Sequence, residues 1–374
     1  LLAEQGTPFT DELLQEWRSR GITQAVAAVD LDQPPIRRPG ANTAVVDTSD
    51  VLRPYDIAAM QRLERSFKQA SAAALEVAKL LAEDDLSNCG LITETTEQFL
   101  ADIELDTAAV LSSMMGTCQI QPSDKDRAIA QRSAQLSVLT AIMCHSLKHS
   151  SSDCMTGSLA AMLHDISLYE STANVVATIY GTHADEEQRY LDHPLQSASM
   201  LAFINGVSEG TKHIITQVHE EMDGGGFPRG LMAHRLHPVS KIIHVADAYL
   251  TLTAIQQPPP LPPGAQLLPA DAIAYLLHHT VKGRFDTSAV RALVASTSAY
   301  PIGSAVELDD SRTALVHRTT DSPTQPIVRI DSGTIIDLRN SGLSIKGPIS
   351  MGNSVGRRIP HSELGKILWR TELV

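Results

Sequence analysis

Basic residues are in short supply: 30 Lys and Arg face 43 Asp and Glu among 374 residues, for a net charge of −13. A general binder of nucleic-acid polymers needs clustered cations to neutralise phosphates, so that class is excluded. A single anionic nucleotide still fits a local metal or basic site. Cysteine is scarce as well. Cys89, Cys118, Cys144 and Cys154 show no CxxC spacing, which argues against a zinc ribbon or a disulfide framework and for reduced thiols in a cytosolic protein. No run reaches the roughly 18 apolar residues that a membrane span requires. No signal peptide opens the chain, which starts at Leu1 rather than Met. The expectation is a cytoplasmic protein without a membrane span.

What is present is mostly helical pattern. Residues 1–50 read as a small α/β unit, with Leu13, Leu14 and Trp17 at helical spacing and a short strand-like run after Gly21. Residues 51–120 form a helical region, with one helix over Tyr55–Glu83 and another over Thr93–Met115. These two either pack as a bundle on the helices downstream or act as a connector. From 121 to 299 the spacing predicts helices over 123–147, 155–163, 186–203, 209–219, 237–254, 269–279 and 287–296. A polyproline-like break at Pro258–Gly264 interrupts them. Residues 300–374 change texture to short β-type runs at 305–308, 313–317 and 326–330, and the last 30 residues carry no clear pattern. The fold class is mainly α, with the α/β unit in front and a β-rich appendage behind.

The chemistry concentrates at Val218-His219-Glu220-Glu221-Met222-Asp223-Gly224-Gly225-Gly226-Phe227-Pro228. Three consecutive glycines serve a turn that needs positive φ or a close backbone approach, not a helix. Read alone, the stretch is compatible with an ordinary polar loop. His164-Asp165 upstream, His193-Pro194 between and Asp247 downstream change its meaning, because His and Asp at successive helix ends can build one metal site. The donors are imidazole nitrogens with a carboxylate able to bridge cations. That set suits Fe, Mn or Zn, and two bridged ions can activate water for attack on a phosphodiester. Glu220 is placed to brace a ligand histidine. His145, His149, His213, His234, His237 and His244 read as surface or satisfied core histidines.

In this order the motifs resemble the HD-GYP family, bacterial metal-dependent phosphodiesterases that hydrolyse cyclic di-GMP. Leu163-His164-Asp165-Ile166 stands for the HD signature, and His193-Pro194 for the HP element. His219-Glu220 through Asp223, Gly224, Gly226, Phe227 and Pro228 stands for the HHE-xx-DG-x-GYP signature. Val245-Ala246-Asp247 follows as the next ligand element, and Gly283-Arg284-Phe285-Asp286 matches a later segment. The resemblance implies an HD-type helical bundle. It implies metal ligands at His164, Asp165, His193, His219 and Asp247, with His164 and Asp165 at the catalytic centre, and a substrate that is opened to the linear dinucleotide or GMP. Glu220, Asp223, Gly224, Gly226, Phe227 and Pro228 are then supporting or substrate-binding residues.

Several departures fall on this site. The register of a ligand histidine upstream of the HD pair gives Arg132, which has no lone pair to offer a metal. Val218 occupies the first position of the histidine pair, Leu168 replaces a lysine, and Phe227 replaces the tyrosine. Arg132 is expected to pair with Asp165 or Asp247 and to leave one metal ion or none. Two readings stay open: a phosphodiesterase holding one or two divalent ions, or a degenerate domain that binds a nucleotide or a signalling partner without turnover.

Overall fold

A computed structural model of the chain describes residues 57–82, 90–117, 125–170, 184–253, 267–330 and 334–349. The expected α/β unit at residues 1–50 and the polyproline stretch lie outside them. The described part is mainly helical, with a small antiparallel sheet at its C-terminal end.

Helix α1 (Ile57–Ala82) and helix α2 (Gly90–Thr117) pair with each other and pack on α3 (Lys125–Ser146). Phe67, Phe99, Ile103 and Met114 are buried in this contact. The expected single helix at 93–115 is interrupted within α2 at Asp106 (φ −159°, ψ 89°), where Asp106 Oδ1 accepts from Ala109 N at 2.9 Å and caps the second half. Helix α3 touches α1, α2, α4 (Ser151–Leu163), α7 (Pro238–Thr253) and α9 (Thr287–Thr297). Leu136, Leu139, Ile142 and Met143 are fully enclosed, so α3 is the axis of the bundle rather than a one-sided surface helix.

Helix α4 begins four residues earlier than the apolar run suggested, because Ser150 caps it by accepting from Asp153 N at 3.1 Å. The α3–α4 seam is close. Ser137 and Ser158 hydroxyls meet at 2.7 Å, and a Cβ at Gly157 would lie 2.5 Å from Val239 of α7. Helix α5 (Ala184–Met200) runs past its internal Pro194, and α6 (Glu209–Ile215) is capped by Ser208. The predicted helix to residue 219 stops at Ile215. Beyond it, Gln217 N reaches Ile214 O at 2.9 Å and Glu220 N reaches Gln217 O at 3.1 Å, tight i→i−3 turns that unwind the chain toward the glycines. Helix α8 (Pro269–Val281) and α9 close the bundle, with Asp286 capping α9 through Ser288 N and Ala289 N.

The sheet comprises β1 (Ala305–Leu308), β2 (Thr313–Arg318), β3 (Ile327–Ile330), β4 (Ile335–Asp337) and β5 (Ile345–Ile349) in the antiparallel order β4-β3-β2-β1-β5. The first three strands match the β-type runs. Strand β5 opens the last 30 residues, which carry no clear pattern, and β4 falls just before them where no strand was expected; the short helix α10 (Leu338–Ser341) separates the two. Val306, Leu308, Val316, Val328 and Leu338 form a core of their own, distinct from that of the helices. No helix among the described residues is long and apolar enough to cross a membrane.

Candidate metal centre

Three segments bring the histidines and Asp165 together. His164 and Asp165 follow the end of α4, where the last carbonyls of a helix lack partners. His164 Nδ1 uses one of them, Ala161 O, at 2.9 Å. In α5 the proline produces the same effect. Pro194 has no N–H to give to Tyr190 O, and His193 Nδ1 bonds that carbonyl at 2.6 Å. Both rings are thereby fixed with the proton on Nδ1 and the Nε2 lone pair turned inward, the tautomer a metal ligand needs. His219 is delivered by the tight turns after α6, and its ring stacks on Phe227 at 4.8 Å and 18°.

Asp165 Oδ1 lies 3.1 Å from His164 Nε2 and 3.2 Å from His193 Nε2, and His219 Nε2 lies 3.2 Å from His193 Nε2. His164, Asp165 and His219 each offer a ligand atom within 4.8 Å of the others, and His193 adjoins this triad. Despite its nearness to Asp165, His164 Nε2 is buried without a hydrogen-bond partner of acceptable geometry. Two facing Nε2 atoms also need a proton or a cation between them. Burial would raise Asp165, but His164, His193 and His219 hold it below the usual carboxylate range, so it is ionised. Burial, helped by His193, lowers His219 and keeps its imidazole neutral. An orphaned buried nitrogen on His164, a neutral imidazole at His219 and an ionised carboxylate at Asp165 fit a divalent cation.

Asp247 stands differently. Its Oδ2 is 3.7 Å from His219 Nδ1, while Oδ1 accepts from Arg132 Nη2 at 2.5 Å. The same Nη2 contacts Asp247 O at 3.1 Å and Thr251 Oγ1 at 2.5 Å. Of the two carboxylates expected as partners of Arg132, Asp247 is the one it bonds. Burial opposes the Arg132 charge, but Asp247 and Asp165 together raise its pKa.

Glu220 departs from the expectation that it braces a ligand histidine. Its two oxygens accept from Arg229 N at 2.8 Å and Leu231 N at 2.7 Å, stitching the far side of the glycine loop, so the buried carboxylate is satisfied by loop amides rather than by a histidine ring. Asp223 Oδ1 shapes the loop by accepting from Gly225 N at 2.9 Å. Gly224 takes φ +82°, and a Cβ on Gly226 would sit 2.2 Å from Glu221 N. The Phe227–Pro228 peptide is cis. Val218 is buried in the apolar core, and its carbonyl accepts from His244 Nδ1 at 3.2 Å. Leu168 lies in the 3-10 turn after Asp165, partly buried.

Some residues beside the site were missed or undervalued in the sequence. Arg284 donates to Glu221 through Nε at 2.6 Å and Nη2 at 2.5 Å, a buried pair lining the cleft next to His219. His244, read as a bystander, also lines that cleft, with its Nε2 enclosed and unpartnered among the described residues. Thr251 was findable, since it sits one helical turn after Asp247 on the same face. The Glu221–Arg284 pair was not, because nothing in either local stretch points to the other.

Residues 122–289 match the HD domain family. Cyclic di-GMP phosphodiesterase PA4108 of Pseudomonas aeruginosa is 30% identical over 159 residues, 42% of this chain and 36% of that protein. The chain thus spans little more than a third of that relative's length. The fold is similar to that of Bd1817, a HDG"Y"P protein from Bdellovibrio bacteriovorus, with a TM-score of 0.51 and 18% identity over 65% of this chain and 72% of that one. An identity this low speaks for the fold alone, but fold, sequence match and motif order agree. The chain carries an HD domain over residues 122–289, and its motif order and fold are similar to those of HD-GYP proteins.

Proposed function

We propose that this chain acts in cyclic di-GMP signalling as a metal-dependent phosphodiesterase, opening the cyclic dinucleotide to its linear form or to GMP. The observation that carries the reading is the inward convergence of His164, Asp165, His193 and His219 in a buried site. Fe(II) or Mn(II) suits imidazole and carboxylate donors better than a thiolate-rich site would. Such an ion supplies charge to polarise a phosphodiester and lowers the pKa of water. The residues of the chain have separable parts in this. Asp165 contributes the ionised carboxylate at the centre, His164, His193 and His219 contribute ring-nitrogen donors, and the Phe227 ring holds His219 in orientation.

A second reading has its own support. The Arg132–Asp247 contact occupies a carboxylate that would otherwise face the site, which favours a regulatory domain that binds the nucleotide or a protein partner with slow turnover or none. In either case we assign the site to a domain over residues 121–299, with residues 300–374 as an appendage.

Protein purified without oxygen and reconstituted with Fe(II) or Mn(II) should convert cyclic di-GMP to linear product, and a His164→Ala control should not. Nucleotide binding without product, by folded and metal-loaded protein, would establish the regulatory reading instead.

A further inference from the structure

We propose that Arg132 is a tethered cation that takes the place of a second metal ion. The site then holds one divalent ion, on His164, Asp165 and His219 with His193 adjoining, and Asp247 is the counter-ion of Arg132 rather than a ligand. The inference rests on the metal reading of the site and specifies its stoichiometry.

Three observations support it. First, the donors divide into two groups. The atoms of His164, Asp165 and His219 lie within 4.8 Å of one another, whereas Asp247 Oδ1 is taken by the guanidinium. Second, Arg132 is held in place. Its Nη2 meets the Asp247 carboxylate, the Asp247 carbonyl and the Thr251 hydroxyl, all on one turn of α7, and its side chain is only 16% exposed. A guanidinium so anchored stays charged and offers no lone pair to a neighbouring metal. Third, the other carboxylates nearby are already engaged. Glu220 is committed to the amides of Arg229 and Leu231, and Glu221 to Arg284. That leaves Asp165 and Asp247 as the uncommitted negative charges, and Arg132 neutralises one of them. One divalent ion beside Asp165 brings the cluster to a net charge of about +1, and a second to about +3 next to a fixed guanidinium, with no free carboxylate to offset it.

The test is metal counting on the full chain. Protein stripped of metal is equilibrated with increasing Mn(II), and bound ions per chain are measured by elemental analysis and by electron paramagnetic resonance, with His164→Ala as the background. The wild type should bind one ion with the six-line spectrum of isolated Mn(II). Arg132→His should bind two, with the broadened signal of a coupled pair. Asp247→Asn in the wild-type background should weaken binding less than about tenfold, and Asp165→Asn more, because only the latter removes a ligand. Two coupled ions in the wild type would overturn the inference and leave the metal reading intact, as would one ion in both wild type and Arg132→His. No Mn(II) above the His164→Ala background would remove the metal reading, and the inference with it. A wild-type count of two rules the inference out even where a variant folds poorly.

Discussion

The Glu221 carboxylate and the Arg284 guanidinium meet in two hydrogen bonds of 2.6 and 2.5 Å, with side chains only 5% and 6% exposed. A charge pair this deep is costly to desolvate, and its merit lies less in net stability than in what its loss leaves behind. Removing one partner strands the other and costs about 3–5 kcal/mol. Glu221→Leu and Arg284→Met should each show that loss in urea denaturation, whereas the double variant should recover most of it. Equal and additive losses would mean that the two side chains act independently. The pair also joins the glycine loop to the turn after α8, since Met222 N bonds Arg284 O at 3.0 Å. The site's acids and bases were legible one by one in the sequence, because His-Asp, His-Pro and His-Glu are local patterns. This partnership was not, because its members are 63 residues apart.

At the scale of elements, the loop from His219 to Leu231 is folded back on itself so tightly that Gly226 has no room for a side chain. A Cβ there would lie 2.2 Å from Glu221 N and 2.4 Å from His219 O, both backbone atoms that cannot swing aside. Phe227 N bonds His219 O at 3.1 Å across the same fold, and Phe227 stacks on the His219 ring. Gly226→Ala should therefore open the loop, displace His219 and weaken Mn(II) binding by at least about tenfold, as loss of a group that orients a ligand does. Unchanged affinity would show that His219 is held by the i→i−3 turns after α6 alone. The three glycines foretold a close approach. They did not reveal that Glu220 would stitch the loop, since its donors, the amides of Arg229 and Leu231, come within reach only once the chain has turned.

Across the molecule, two apolar cores are separate: the helical one around α3, and the sheet core of Val306, Leu308, Val316, Val328 and Leu338. They are joined by polar threads, among them Ala299 N to Pro323 O at 2.8 Å and Arg318 Nη1 to Asp106 Oδ2 at 3.9 Å. A charge buried without a partner in the smaller core should unfold it by itself. Val306→Asp is expected to abolish hydrogen-exchange protection over residues 305–349 while the backbone of α3, α4 and α7 stays protected and Mn(II) binding is unchanged. Loss of protection in α3 as well would make the two cores one cooperative unit.

Local pattern was enough to specify the helical bundle, the three leading strands of the sheet and the set of metal-type residues. These depend on apolar period, capping residues and short motifs, all of which act over a few neighbours. Strand β5 escaped because its pairing is with a distant segment, β1, rather than with its sequence neighbour, and β4, though it pairs with the adjacent β3, is only three residues long and too short to show an alternating pattern. How the residues divide their work emerged only when the helices were packed. Which carboxylate Arg132 takes, what Glu220 holds and where His244 faces depend on the packing of α3 against α7 and of the loop against the turn after α8. A charged group's partner is set by what burial brings within about 3 Å of it, a long-range property that no local pattern encodes.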